Sequence, residues 1–283
     1  SPPWQPPPGS PQARALAFVS QLTQGSPWRA PAQLTLNFHP DRLHGDQPLL
    51  LRLAQDGCLR SQFETGTSNG GLTAFAGGER WRWESRLFGG AYDDQPAHER
   101  PKYATFDFRN RPTGGSPRFG SAYFRLQPAL LQRSTFCFPD SYFEPEHFGV
   151  ADRMALVSVA QADPGDRLDL YIEAHVHGPV SLERDVDALV LDPCFRGTEV
   201  ERQARTLPCA LQWHPGFSLS VEVLQRHPEY RGPRLVDLAM TLARDGRLTP
   251  DLLGDAVRSG LHDPQDLKKV WHYLARFGDV SEP

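Results

Sequence analysis

The sequence predicts an α+β protein, strand-rich over its first two-thirds and helical towards its carboxy-terminal end. Three observations carry this. Alternation of apolar and polar residues recurs between residues 32 and 192, apolar spacing of three and four dominates beyond residue 200, and the two patterns are segregated along the chain. No internal repeat is evident. At 283 residues the chain has room for one large domain or two smaller ones, with a core that needs no covalent staples.

Residues 1–11 hold six prolines and two serines, a composition that predicts a flexible arm. Ala15, Phe18, Val19 and Leu22 then mark an amphipathic helix over residues 12–24. Leu34, Leu36 and Phe38 alternate with Gln33, Thr35 and Asn37, a half-buried strand that delivers His39-Pro40-Asp41-Arg42 at its end. His39 and Arg42 there could hold a ribose hydroxyl or a phosphate, although a turn made from Pro and Asp explains part of the motif. Residues 49–59 read as a helix stopped by Asp56-Gly57.

The run Ser61-Gln62-Phe63-Glu64-Thr65-Gly66-Thr67-Ser68-Asn69-Gly70-Gly71 is rich in glycine and hydroxyl groups. Such a segment lets backbone approach a ligand closely, so it is expected to line a site; without Gly-Lys-Ser/Thr it is no Walker cradle. Arginine and tryptophan interleave over residues 80–83, which predicts a strand with one stacking and one charged face. Further strands are expected at 104–108, 119–126 and 133–138, then an acidic loop over 139–146. Strands at 154–160 and 168–176 and a short buried one at 188–192 complete the set. Helices are expected at 200–206, 218–225, 234–244, 249–259 and 263–277, with Thr249 and Asp263 as caps.

The most reactive stretch is residues 168–180. Glu173, His175 and His177 recur there at a spacing of two, so a strand puts all three on one face and Ile172, Ala174 and Val176 on the other. Three readings stand: Glu173 does chemistry on a bound substrate, the row binds a metal, or the face is simply polar.

Composition bounds the function. A net charge of −4 with interspersed signs offers no electrostatic footprint for nucleic acid or an anionic membrane. Cys58, Cys137, Cys194 and Cys209 are widely spaced, which argues against a zinc ribbon or a thioredoxin-type pair and favours reduced, individually buried thiols in a cytoplasmic protein. No run of eighteen apolar residues occurs, so a membrane-spanning helix is not expected.

The order of these pieces resembles the ADP-ribosyltransferase superfamily: a strand ending in His39 and Arg42, a hydroxyl-rich element over 63–71, and a later strand bearing Glu173 before Gly178-Pro179 and a short buried strand. Residues 119–126 and 133–136 extend the match, so that it covers about residues 30–200. The wording of Ser61-Gln62-Phe63-Glu64-Thr65-Gly66 and of Tyr171-Ile172-Glu173-Ala174 is also similar to an uncharacterised bacterial family known only as a domain of unknown function. The resemblance implies a core of two small packed sheets at 12–200 as the catalytic domain, with 201–283 as a helical region. It implies cleavage of the nicotinamide–ribose bond of NAD and passage of ADP-ribose to a protein or nucleic-acid acceptor, or to water. Glu173 would be the catalytic carboxylate, His39 or Arg42 would grip ribose or phosphate, Thr67 and Ser68 would support the nicotinamide pocket, and Tyr103 or Tyr92 would stack on the ring. Arginine as acceptor is not implied, because Tyr171 stands where arginine-modifying members carry an acidic or amide residue.

Two alternatives remain beside this. His175 and His177 with Glu173, completed by His39 and Asp41, could bind a divalent metal in a hydrolase. A non-enzymatic module docking a partner through its helical tail is the other.

Overall fold

The computed structural model describes residues 2–65 and 74–282. Thr67 and Ser68 lie outside the described residues. Twelve strands occur among those described: β1 (Gln33–Phe38), β2 (Leu43–His44), β3 (Gln47–Pro48), β4 (Lys102–Asp107), β5 (Ala122–Leu126), β6 (Ser134–Phe138), β7 (His147–Val150), β8 (Ile172–Val176), β9 (Val186–Leu191), β10 (Ala210–Trp213), β11 (Leu219–Ser220) and β12 (Arg247–Leu248). Eight of them form one sheet in the order β10-β9-β5-β1-β4-β8-β6-β7, antiparallel except at the β9–β10 edge. The pairs β2–β3 and β11–β12 are two-stranded ribbons.

The expected pair of small sheets is therefore replaced by a single large one. The reason lies in β1, whose Leu34 and Thr35 pair with β5 on one side and with β4 on the other. Alternation reveals which face of a strand is buried but says nothing about how many of its edges are bonded. The joint is incomplete. β1 stays paired to β5 as far as Phe38, whereas its pairing with β4 covers only Gln33 to Thr35, and Lys102 to Ala104 of β4 pair with β8. The strands part beyond Thr35 and Thr105 and leave a wedge in the middle of the sheet.

Several elements differ from expectation. Residues 80–83 lie in the helix Glu79–Leu87, not in a strand. Its buried stripe is Arg80, Glu84 and Leu87, at spacings of four and three. Because that stripe is largely charged, the two tryptophans suggested the wrong period. Residues 156–162 form a helix with Leu156, Val157 and Ala160 buried, where a strand was expected. The edge strands β7 and β10 carry no clear alternation, because their exposed positions blur it. Residues 218–225 are divided between β11 and the helix Val221–Leu224, which Ser220 caps. The proline-rich start lies against the sheet, with the Arg133 guanidinium 5.1 Å from the Trp4 ring and Gly178 directly beneath that ring.

Two cores form. The larger covers the sheet and includes Phe106, Phe124, Phe136 and Ile172; it extends past residue 200 through Val200, Ala204 and Leu207. The second is built from Phe217, Leu235, Leu253, Val270, Trp271 and Leu274, and it also takes in Leu168. The C-terminal helices are thus tied to the sheet. Trp271, on the helix Pro264–Phe277, donates its indole N–H to the carbonyls of Pro117 and Arg118 at 3.0 and 3.1 Å.

That loop is seated on β1 by Gly120, where a Cβ would come within 1.9 Å of the Phe38 carbonyl carbon. Asn37 holds it from below, donating to the carbonyls of Thr113 and Gly120. Backbone cannot yield as a flexible side chain would, so Gly120→Ala is expected to destabilise the protein by about 3 kcal/mol. Denaturant unfolding of the variant at unchanged midpoint would contradict this close packing.

Candidate functional site

A cavity of about 330 Å³ opens at the wedge between β1 and β4, with Asn37 and Thr105 on its two walls. Glu173 lines its floor from β8. The register explains what surrounds it: Glu173 pairs with Thr105 of β4 on one side and with Cys137 of β6 on the other, in the interior of the sheet. All of β8 is buried, so both faces of this strand are covered and the polar row is no solvent face.

Three donors converge on the carboxylate. His175 Nε2 lies 2.8 Å from Oε2, Cys137 Sγ 3.3 Å from the same oxygen, and Ser141 Oγ donates to Oε1 at 2.9 Å. Ser141 in turn accepts from Arg80 at 2.7 Å. Burial pushes the Glu173 carboxyl up, but the hydrogen bond and charge of His175, the Arg80 guanidinium and Ser141 together outweigh it and hold the group at about 2. Glu173 is therefore an anion at any physiological pH. A carboxylate has about four acceptor positions. Oε2 takes two donors and Oε1 takes one, which leaves room on Oε1 for a hydroxyl arriving from the cavity.

The charge also orders the groups behind it. An ionised Glu173 only accepts, so His175 donates to it from Nε2, while His175 Nδ1 lies 2.9 Å from Thr135 Oγ1. Thr135 Oγ1 also lies 2.9 Å from His177 Nε2, and His177 Nδ1 lies 2.5 Å from the Tyr92 hydroxyl. His177 is kept from a second proton by burial and by the charges of His175, Lys102 and Arg133, all of which push its pKa well down.

This state has a pH signature. A carboxyl lowered from 4.5 to about 2 contributes stability that is fully present above 4.5 and is lost as pH falls through 2. Urea midpoints of wild type and Glu173→Gln are expected to converge over that interval. A constant gap would show that Glu173 is not held ionised.

The other expected site residues are dispersed. Tyr103 lines the cavity, with the Arg80 guanidinium 4.7 Å from its ring and its hydroxyl donating to Glu84 at 2.7 Å. Tyr92 does not line it; its hydroxyl serves His177 in the buried chain. His39 packs edge-on against Trp271 at 4.9 Å, and burial, then Arg42 and His272, push it well below the usual histidine range. Arg42 is paired with Asp41 at 2.6 Å and lines a different depression. His39, Asp41 and Arg42 are thus not brought to Glu173. Nor does His177 complete a metal set, because its ring nitrogens face Thr135 and Tyr92 rather than Glu173. Among the described residues, the group with metal-ligand spacing is Cys137, Glu173 and His175.

Sequence reasoning missed several groups at this site. Cys137 and Thr135 share a strand face, and the alternation of 133–138 could have pointed to them once β6 was known to neighbour β8. Arg118 and Lys268 on the cavity wall carry no such signal, the latter arriving from the helix Pro264–Phe277. Burial, then the charge of Arg118, lowers the Lys268 ammonium from its usual range, and Arg118 is itself paired with Asp169 at 3.0 Å. The four cysteines are free, and of them Cys137 is buried while the other three are half-buried. No helix among the described residues is long and apolar enough to cross a membrane.

The model of a family described as "Protein of unknown function (DUF3626)" matches residues 33–161 and 153–277, a span that holds the whole wedge, Glu173 and Lys268. No curated protein matches the chain.

Proposed function

From a chain that belongs to this family of unknown function, we propose an enzyme that cleaves the nicotinamide–ribose bond of NAD and passes ADP-ribose to a macromolecular acceptor, protein or nucleic acid. The observation that carries the reading is Glu173: a permanently ionised carboxylate, buried, with an acceptor position left on Oε1 towards a cavity. In the bond's rupture the electron pair leaves with the pyridinium nitrogen, nicotinamide departs neutral, and the ribose carbon becomes cationic. A fixed anion in a site of low dielectric stabilises that charge and holds a ribose hydroxyl. The acceptor then attacks the ribose carbon and gives up a proton.

The rest of the wall fits the remainder of the dinucleotide. Tyr103, with Arg80 4.7 Å from its ring and His175 edge-to-face at 5.3 Å, is the aromatic wall against which a flat ring would lie. Arg118 and Lys268, rather than His39 and Arg42, stand at the cavity to meet the diphosphate. The sheet differs from the two small sheets of the transferase resemblance, so the proposal rests on the chemistry of the cavity and on the motif order. The alternative hydrolase built on Glu173, His175 and His177 is less well supported, since His177 is committed to Thr135 and Tyr92.

The test is incubation of the purified protein with NAD and a cell lysate, following free nicotinamide and ADP-ribose bound to macromolecules. Nicotinamide release is expected, with attached label separating transfer from hydrolysis. No release, together with an unchanged melting temperature in NAD, would overturn the proposal.

A further inference from the structure

We propose that Cys137, Glu173 and His175 form a binding site for one borderline-soft divalent cation, zinc by preference, which would occupy the carboxylate that the proposed chemistry needs. The three residues are placed by sheet register rather than by a loop. Cys137 and Glu173 are cross-strand partners on β6 and β8, and His175 follows Glu173 on the same face. Their ligand atoms are already close: Sγ to Oε2 3.3 Å, Sγ to Nε2 3.8 Å, and Nε2 to Oε2 2.8 Å. In a tetrahedral zinc site, sulfur, nitrogen and oxygen ligands stand about 3.5 Å apart. The thiol needs almost no movement. The His–Glu pair needs to open by about 0.6 Å.

Charge and donor type agree with this choice. One thiolate, one carboxylate and one neutral imidazole supply two negative charges, which neutralise a divalent ion in a buried place where a net charge would be costly. The Cys137 thiol gives up its proton when it becomes a ligand.

A second, independent feature is the support behind His175. Thr135 Oγ1 holds Nδ1 at 2.9 Å, which aims Nε2 at the other two ligands, as partners behind metal-bound imidazoles commonly do. With a metal on Nε2 the proton of His175 sits on Nδ1 and donates to Thr135. Thr135 then donates to His177 Nε2, and His177 Nδ1–H points to Tyr92, so every link of the chain is satisfied. Binding rests on this geometry alone; only its consequence, loss of turnover, rests on the transferase reading.

The experiment uses cobalt(II) alone as a spectroscopic stand-in for zinc, added to three metal-free proteins. These are wild type, Cys137→Ala, and a variant with Cys58→Ser, Cys194→Ala and Cys209→Ala that keeps Cys137. One equivalent is expected to give a thiolate-to-cobalt charge-transfer band in wild type and in the triple variant, displaced by zinc, and to give none in Cys137→Ala. Thr135→Val, which leaves all three ligands in place, is expected to weaken binding about 10- to 100-fold. Absence of the band in wild type, or its persistence in Cys137→Ala, would overturn the proposal. Because no NAD is present, failure here is separable from failure of the transferase reading. Circular dichroism of each variant distinguishes lost ligation from lost folding.

Discussion

Glu173→Gln is expected to lower nicotinamide release about 100- to 1,000-fold while the protein stays folded. The loss follows from the state of the side chain. Glu173 is ionised at working pH, so it acts as a fixed anion rather than as a proton donor, and the amide removes that anion without changing shape. The fold survives because a glutamine can keep its carbonyl oxygen towards His175 and Cys137 and turn its amide towards Ser141, whose oxygen already accepts from Arg80 and can accept again. A stability loss of about 1–2 kcal/mol is expected from the weakened bonds. Initial rates with saturating NAD check the first number and urea unfolding the second. A variant that released nicotinamide at the wild-type rate would remove Glu173 from the chemistry.

Arg100→Met carries the largest expected effect on stability, a loss of about 3–5 kcal/mol. Arg100 pairs with Glu84 at 3.0 Å, and their side chains are 4% and 1% exposed. The methionine leaves Glu84 with the Tyr103 hydroxyl but without its paired cation. The sign with pH can be worked out. Burial raises the Glu84 carboxyl, against the opposing hydrogen bond of Tyr103 and charge of Arg100, so folding favours its protonated form. The associated stability is present below the unfolded carboxyl value and lost as pH rises through the folded one. Relative to wild type, the variant is therefore expected to recover as pH falls, and the double variant Arg100→Met with Glu84→Gln to recover much of the loss at neutral pH. Equal deficits for the single and double variants would mean that the unpaired charge is not the cause. Because Glu84 also holds Tyr103 at the cavity wall, the same variant is expected to weaken NAD binding.

Legibility varied with what each feature depends on. The face of β8 that presents Glu173 and His175 could be read directly, because alternation is a property of one strand. The wrong period for 80–83 has an equally local cause: the helix Glu79–Leu87 buries Arg80 and Glu84, so hydropathy marked its inner stripe as outside. What pairs those charges is supplied by distant segments, Arg100 for Glu84 and Ser141 for Arg80. The Cys137 thiol was legible as buried but not as a neighbour of Glu173, since that follows from β6 and β8 being adjacent.

The α+β class, the helical tail and the strand-borne Glu173 with His175 were determined by periodicity and residue type alone, which act over a few residues. Tertiary structure decided that the strands form one sheet that splits at β1 and β4, that His39 and Arg42 stand apart from Glu173, and that Lys268 reaches the cavity from the far end of the chain. Those outcomes depend on which strand edges pair and which helix packs on which loop. Such choices are made by contacts between segments distant in the chain, as where Trp271 bonds the Pro117 and Arg118 carbonyls 154 and 153 residues away, and no local pattern encodes them.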